Sequence, residues 1–101
     1  LAPSGGLKPA TAVSSYLHVD ANGTTVCKSG AGVLQRVTIN KRGAGTNMLT
    51  VYDNTAASGT VIAVIDTSVT LGALVFGLAF ATGLTVVLAG AVAGDLTIVF
   101  D

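Results

Sequence analysis

The amino-acid sequence predicts an all-β fold: an antiparallel β-sandwich or jelly-roll-like barrel of about eight short strands, with an extended N-terminal arm. Short strand-like runs alternate with turn residues at regular intervals. No segment has a convincing 3.6-residue apolar period, and the longest apolar run, residues 71–94, alternates with a period of two. A chain of 101 residues is expected to form one domain. We therefore assign residues 1–15 to the arm and residues 16–101 to a single β-sandwich domain.

The predicted arm, "LAPSGGLKPATAVSS", is small, polar and interrupted by proline and glycine. Such a segment has little core of its own. In an assembly an extended arm of this kind lies across a neighbouring subunit, and a frayed terminus is the alternative.

The first strands are predicted on both sides of a turn signal. Residues 16–20 and 24–28 flank Asn22-Gly23, a dipeptide typical of a two-residue hairpin turn, so we expect these strands to pair. Residues 33–40 alternate apolar and polar side chains, and Gln35 interrupts the apolar side.

The remaining strands are predicted at 47–53, Thr60–Asp66, 73–80, 84–89 and 96–100, with residues 54–59 as a hairpin loop. Thr60–Asp66 is apolar at nearly every position, which predicts a central strand covered on both faces.

The uncharged run 71–94 is long enough to span a bilayer as a helix. Large side chains at 74, 76, 78 and 80 alternate with smaller ones, and a break at 81–83 precedes a second alternating stretch. That pattern favours two buried strands. The flanks also lack the clustered basic residues and aromatic belt of a spanning helix, so we expect no membrane partner.

The composition predicts assembly. Charged residues make up 10% of the chain, against roughly 25% in typical soluble domains. Several predicted strands are apolar on both faces, and only one face can fill the interior of a sandwich. A neighbouring subunit is the economical cover for the other face. We therefore expect the chain to bind itself as a trimer or another symmetric oligomer.

The charges are distributed unevenly. All five basic residues lie in the first 42 positions, and four of the five aspartates lie beyond them, an asymmetry that can orient subunits. Lys41-Arg42 is the only basic pair, and the chain has two tyrosines and no tryptophan. This composition gives little support to nucleic-acid binding.

Candidate catalytic or metal-binding residues are few. His18 and Asp20 share one face of a strand, and Ser14 or Ser15 lies nearby. A serine nucleophile, a histidine base and an aspartate that orients the base are the components of a catalytic triad. Such neighbours are frequent by chance, and we expect no enzymatic activity. One histidine and Cys27 cannot supply a zinc site, and we expect no metal or cofactor. Cys27 itself is predicted to be a small buried hydrophobe in a strand.

Three segments resemble a recurring pattern in small β-sandwich virion structural proteins of tailed bacteriophages. They are "TVYDNTAASGTVIAVID" at 50–66, "LAFATGLTVVLAG" at 78–90 and "DLTIVF" at 95–100. In those proteins a Tyr-Asp-Asn turn is followed by a Gly-Thr-Val-Ile strand, an aromatic-rich strand, a Gly-Leu-Thr-Val segment and a closing strand. The likeness covers about half of the chain.

The resemblance implies a capsid decoration (cement) protein on the capsid surface, which stabilises the phage head by contacts with itself and with the major capsid protein. A head-fibre or tail-associated module that binds a host surface or carbohydrate is the alternative. The residues expected to make assembly contacts are Leu1, Pro3, Leu7, Lys8, Arg36, Lys41 and Arg42.

Overall fold

The computed structural model describes residues 14–101, which form an antiparallel β-sandwich of eight strands. The all-β prediction is confirmed for this part of the chain. The strands are β1 (Ser15–Val19), β2 (Gly23–Ser29), β3 (Gly32–Lys41), β4 (Ala44–Asp53), β5 (Thr60–Asp66), β6 (Gly72–Phe80), β7 (Gly83–Val92) and β8 (Asp95–Phe100).

The strands form two four-stranded sheets, in the orders β1-β8-β3-β6 and β2-β7-β4-β5. Strand β1 pairs with β8, β2 with β7, β3 with β6 and β4 with β5. The chain thus follows the course of one long hairpin wrapped into two sheets, which is the connectivity of a jelly roll. No helix among residues 14–101 is long and apolar enough to span a membrane.

The core lies between the sheets and is built mainly by their central strands. Strands β3 and β8 direct alternate apolar side chains inward from one sheet, and β4 and β7 do so from the other. The period of two in the sequence therefore fixes which side chains are buried. The fully buried aliphatic residues are Leu34, Val37, Ile39, Leu49, Val51, Leu84, Val86, Leu88, Leu96 and Ile98.

The apolar run 71–94 contains strands β6 and β7, as predicted, but only one of them is buried. Strand β7 is central, and residues 83–86 in it are buried. Strand β6 is an edge strand, where the side chain of Val75 is 81% exposed. The same apolar composition thus has two different environments.

Two strand predictions are wrong. Thr60–Asp66 is an edge strand rather than a central one, with Val61 and Val64 exposed on its outer side. Residues 16–20 and 24–28 do not form a hairpin, because β1 and β2 belong to different sheets and the Asn22-Gly23 turn connects the two sheets. Each strand pairs with a partner more than 50 residues away, in the C-terminal part of the chain.

Candidate functional site

The outer side of sheet β2-β7-β4-β5 carries side chains in three cross-strand rows. Strand pairing aligns Val26, Thr85, Tyr52 and Val61 in the first row. The second row contains Thr24, Val87, Thr50 and Val64. The third row contains Ala89, Met48 and Asp66. Only one of these eleven side chains, Asp66, is charged.

We call ten of these residues the uncharged face. Three of its valines are about half exposed: Val26 at 49%, Val61 at 48% and Val64 at 57%. Asp66 lies at one corner of the rows, and its carboxylate accepts a hydrogen bond from the backbone N–H of Ser68 at 3.0 Å. The uncharged face consists of Thr24, Val26, Met48, Thr50, Tyr52, Val61, Val64, Thr85, Val87 and Ala89.

This composition is unusual for the solvent side of an antiparallel sheet, which normally alternates with charged or strongly polar residues. Threonine and valine both favour strands because their branched side chains pack on a pleated surface. One threonine, Thr85, is fully buried, and its hydroxyl donates to the backbone oxygen of Asn54 at 2.7 Å. The loop after β4 therefore closes one end of the face.

The outer side of the other sheet is mixed: it carries Arg36 and a group of polar side chains, and in the same row as Arg36 it carries Val75, which is 81% exposed. Arg36 is exposed in the middle of β3, and its cross-strand neighbour on β8 is Val99. At one end of this side, His18 Nε2 and Asp95 Oδ1 lie 2.7 Å apart. The amide of Asn40 donates to Asp95 Oδ1 at 3.0 Å and to Thr97 Oγ1 at 3.1 Å. We call His18, Asp20, Asn40, Asp95 and Thr97 the polar cluster.

The polar cluster shifts the pKa values of its ionisable groups. The hydrogen bond to Asp95, and then its negative charge, raise the pKa of His18. The hydrogen bonds from Asn40 and His18 lower the pKa of Asp95. Both shifts favour the ion pair, and both groups are exposed enough that solvent weakens it.

Three members of the polar cluster are arranged as possible metal ligands. One ligand atom from each of His18, Asp20 and Asp95 lies within 4.8 Å of the others. Imidazole and carboxylate groups suit several divalent cations. An open pocket of about 260 Å³ adjoins them and is lined by residues 18–25. The sequence did not indicate this group, because Asp95 is 77 residues from His18 and reaches it only through the pairing of β1 with β8.

The structure does not bring together the serine, His18 and Asp20 that the sequence analysis considered as a catalytic triad. The Ser14 hydroxyl hydrogen-bonds to Asp101. His18 instead contacts Asp95. His18 is four residues from Ser14, which is about 13 Å along the chain at the usual rise per residue of a strand. Serine and histidine are therefore separated along the strand, and a nucleophile–base pair is not formed between them.

The predicted assembly residues fall into two groups. Leu1, Pro3, Leu7 and Lys8 lie outside the described residues. Arg36, Lys41 and Arg42 are all exposed, but Arg36 is in the middle of β3 whereas the other two are at its end and in the turn that follows. They do not form one continuous basic patch at the β3–β4 turn.

A buried polar group that the sequence analysis missed connects the turns at one end of the sandwich. Asn47 is fully buried in β4, and its side-chain oxygen accepts hydrogen bonds from the Thr67 hydroxyl and from the Gly94 N–H, the latter at 3.2 Å. Its Nδ2 donates to Asn22 Oδ1 at 3.0 Å. Asn47 thereby links three separate turns, and its role is structural.

Cys27 occupies the bulge in β2 and packs partly against the core. Its burial raises the pKa of the thiol to about 12. The thiol is therefore almost entirely protonated near neutral pH and reacts slowly. This environment agrees with the predicted role as a small hydrophobe.

Comparison of the chain with known protein families and with curated proteins finds no match. The fold is a jelly roll, an architecture found in viral capsid proteins, lectins and enzymes alike. Function is therefore inferred from the two outer surfaces of the sandwich, of which one is the uncharged face and the other carries Arg36 and the polar cluster.

Proposed function

We propose that this chain is a structural virion protein, a capsid decoration (cement) protein that stabilises a phage head through subunit contacts. The observation that carries the proposal is the uncharged face. A four-stranded surface with exposed valines is costly to leave in water, and burying apolar area stabilises by roughly 25 cal/mol per Å². An assembly covers such a surface permanently.

The physical properties of the uncharged face suit a shell protein. Threonine and valine in regular strands present a rigid surface, so little conformational entropy is lost when a neighbour packs on it. Repetition over many copies on a particle makes a modest individual contact sufficient. The resemblance of residues 50–101 to phage virion proteins points to the same role.

The charged residues are proposed to orient the subunit. Arg36, Lys41 and Arg42 lie away from the uncharged face, on or near the outer side of the other sheet. Exposed basic groups of this kind steer association and set its direction more than its affinity. The arm residues Leu1, Pro3, Leu7 and Lys8 are proposed to contact a neighbouring subunit or the major capsid protein.

The proposal is tested by quantifying the chain in purified particles. Virions of the phage that encodes it are purified by density gradient, and their proteins are measured by mass spectrometry against the major capsid protein. A decoration protein is expected at a fixed ratio to the capsid subunit and is removed only with partial loss of head stability. Absence from intact virions would contradict the proposed function.

A second candidate, carbohydrate or host-surface binding, is favoured by one observation. Tyr16 is 70% exposed on the outer side of the sheet that also holds the polar cluster. An exposed aromatic ring on the same side of a sheet as carboxylate and amide groups is suited to stacking on a sugar ring while hydrogen bonds reach the hydroxyls of the sugar.

A glycan array tests this candidate, with Tyr16→Ala beside the unchanged chain. Carbohydrate binding predicts a reproducible glycan signal that the substitution removes. If no glycan is bound, the second candidate is wrong, and the proposed structural role is unaffected.

A further inference from the structure

We infer that the uncharged face is covered by the same face of a second copy of this chain, the two sheets packing across a two-fold axis. The inference deepens the proposed function and rests on it, since it names the occupant of the surface that the function requires to be covered. It also specifies the contact as face to face rather than edge to edge.

A dimer could form through either outer side of the sandwich, and the distribution of charge favours the uncharged face. A contact that uses the outer side of sheet β1-β8-β3-β6 buries Arg36 and the polar cluster, whose His18 and Asp95 lie in that sheet. Removing charged groups from water without a partner is strongly unfavourable. When two uncharged faces meet, the one charged side chain in the three rows of each copy is Asp66, which lies at a corner and accepts hydrogen bonds from Ser68. A second copy supplies a matching uncharged surface by symmetry.

The edges of the same sheet disfavour the alternative of continuous strand addition. Its edge strands are β2 and β5, and each contains a register shift. The shift falls between Val26 and Lys28 in β2, and opposite Val51 and Tyr52 in β5. Bulges twist an edge and interrupt the row of hydrogen-bonding groups that a further strand needs. Association through side chains on the uncharged face avoids this obstacle.

The area of the uncharged face sets the expected affinity of the dimer. Four strands about 4.8 Å apart and three rows about 7 Å apart give a projected area of roughly 400 Å² per copy, or about 800 Å² for the pair. Stable interfaces of standard size bury about 1,600 Å². The isolated dimer is therefore expected to be reversible, with a dissociation constant on the order of micromolar or weaker.

The two-fold axis passes near the middle of the face. The central positions are Thr50 on β4 and Val87 on β7, which are cross-strand neighbours on the two inner strands of the sheet. Packed sheets lie about 10 Å apart, close enough for side chains at the axis to touch their symmetry copies. Cysteines at these positions are therefore expected to meet.

Cysteine cross-linking tests this geometry. Thr50→Cys and Val87→Cys are each oxidised mildly and analysed on a non-reducing gel, where at least one is expected to give a covalent dimer. The matched control is Thr38→Cys, since Thr38 is a half-buried threonine on the outer side of β3, a central strand of the other sheet. Cys27 remains in every variant, because its pKa of about 12 keeps the thiol unreactive.

Arginine substitution tests the energetics of the dimer at Thr50, with Thr38 as the control position. By light scattering after gel filtration, Thr50→Arg is expected to weaken the dimer at least about tenfold, because two like charges are buried at the axis. Thr38→Arg is expected to leave dimerisation unchanged. Circular dichroism of both variants establishes that they are folded.

The inference is overturned if the folded chain stays monomeric at high concentration and neither Thr50→Cys nor Val87→Cys cross-links. It is also overturned if the oligomer is a trimer that Thr50→Arg leaves intact. If either of these results is obtained and the chain is nevertheless abundant in virions, the proposed function stands and the uncharged face is covered by another capsid protein. A chain that dimerises as described but is absent from virions retains the dimer and loses the virion role.

Discussion

At the scale of single residues, the buried amide of Asn47 is the most consequential polar group. It bonds to groups in three turns, and no buried polar side-chain atom among the described residues lacks a hydrogen-bond partner. Burying a polar network of this kind costs little free energy while every member has a hydrogen-bond partner. Removing one member leaves buried polar groups unpaired and destabilises the fold.

We predict that Asn47→Ala lowers the free energy of unfolding by about 2–4 kcal/mol, because it leaves the buried Gly94 N–H without its acceptor and removes the hydrogen bond to Asn22. The Thr67 hydroxyl loses its side-chain acceptor but keeps the backbone oxygen of residue 47. Urea denaturation followed by circular dichroism measures the loss. The matched control is Asn40→Ala, which removes an amide with two hydrogen bonds at an exposed site and is expected to cost less than about 1 kcal/mol. Equal losses would contradict the structural role of Asn47.

The ion pair of His18 and Asp95 predicts a pH dependence of stability. The raised pKa of His18 means that its contribution is complete below about pH 6.5 and is lost as the pH rises through the higher folded value. The lowered pKa of Asp95 means that its contribution is present above about pH 3.9 and is lost as the pH falls through the lower folded value. Between these limits both groups are charged.

We therefore predict that the unchanged chain melts at a higher temperature than His18→Gln. The difference in melting temperature is expected to be largest between about pH 4 and pH 6.5 and to become smaller at higher pH. Thermal unfolding of both proteins over a pH series measures the difference. A gap that is constant with pH would show that the imidazole acts only through packing.

At the scale of elements, strand β7 leaves least room for a side chain at Gly90. Gly90 has a φ of 149°, and a Cβ placed there would lie 1.9 Å from the backbone oxygen of Thr46 in the neighbouring strand β4. The close approach of β7 and β4 at this point therefore excludes any side chain.

We predict that Gly90→Ala destabilises the fold by roughly 3 kcal/mol, because the methyl group forces the two strands apart. The control is Gly77→Ala, at a φ of 62° with no atom within 4 Å of the added Cβ, which isolates the cost of the backbone conformation alone. That cost is expected to be about 1 kcal/mol. If chemical denaturation gives the same loss for both variants, the contact with Thr46 is not decisive.

Strand existence could be predicted from the sequence, whereas strand environment could not. Alternation and turn residues are local signals, and they identify every strand except β4 and β7 to within one residue at each end. Whether a strand such as β5 is central depends on which segments pair with it, which is a non-local property. The apolar composition of β5 predicts burial on both faces, whereas the structure leaves Val61 and Val64 exposed on its outer side.

The missing hairpin has a similar physical origin. The Asn22-Gly23 signal correctly marks a reversal of the chain, but it does not specify that the two strands pair. In the jelly roll β1 and β2 pair with β8 and β7, so the turn crosses between sheets. The same long-range pairing brings Asp95 to His18, which explains why the polar cluster could not be read from sequence spacing.

At the scale of the whole molecule, the low charge content is distributed over the surface with a clear preference. The charges of the described residues lie at strand ends, in turns and on the outer side of sheet β1-β8-β3-β6, and the uncharged face has none within it. The sequence predicted a surface that needs a cover, and the structure shows where the uncharged part of that surface lies.

The chain contains one methionine, Met48, and it lies on the uncharged face. The most direct measurement is therefore the rate at which dilute peroxide oxidises Met48, followed by mass spectrometry as the protein concentration is raised. Burial of the uncharged face against a second copy predicts that the rate falls with concentration, and that Thr50→Arg abolishes the fall. A rate that is the same at every concentration in the unchanged chain would contradict the account.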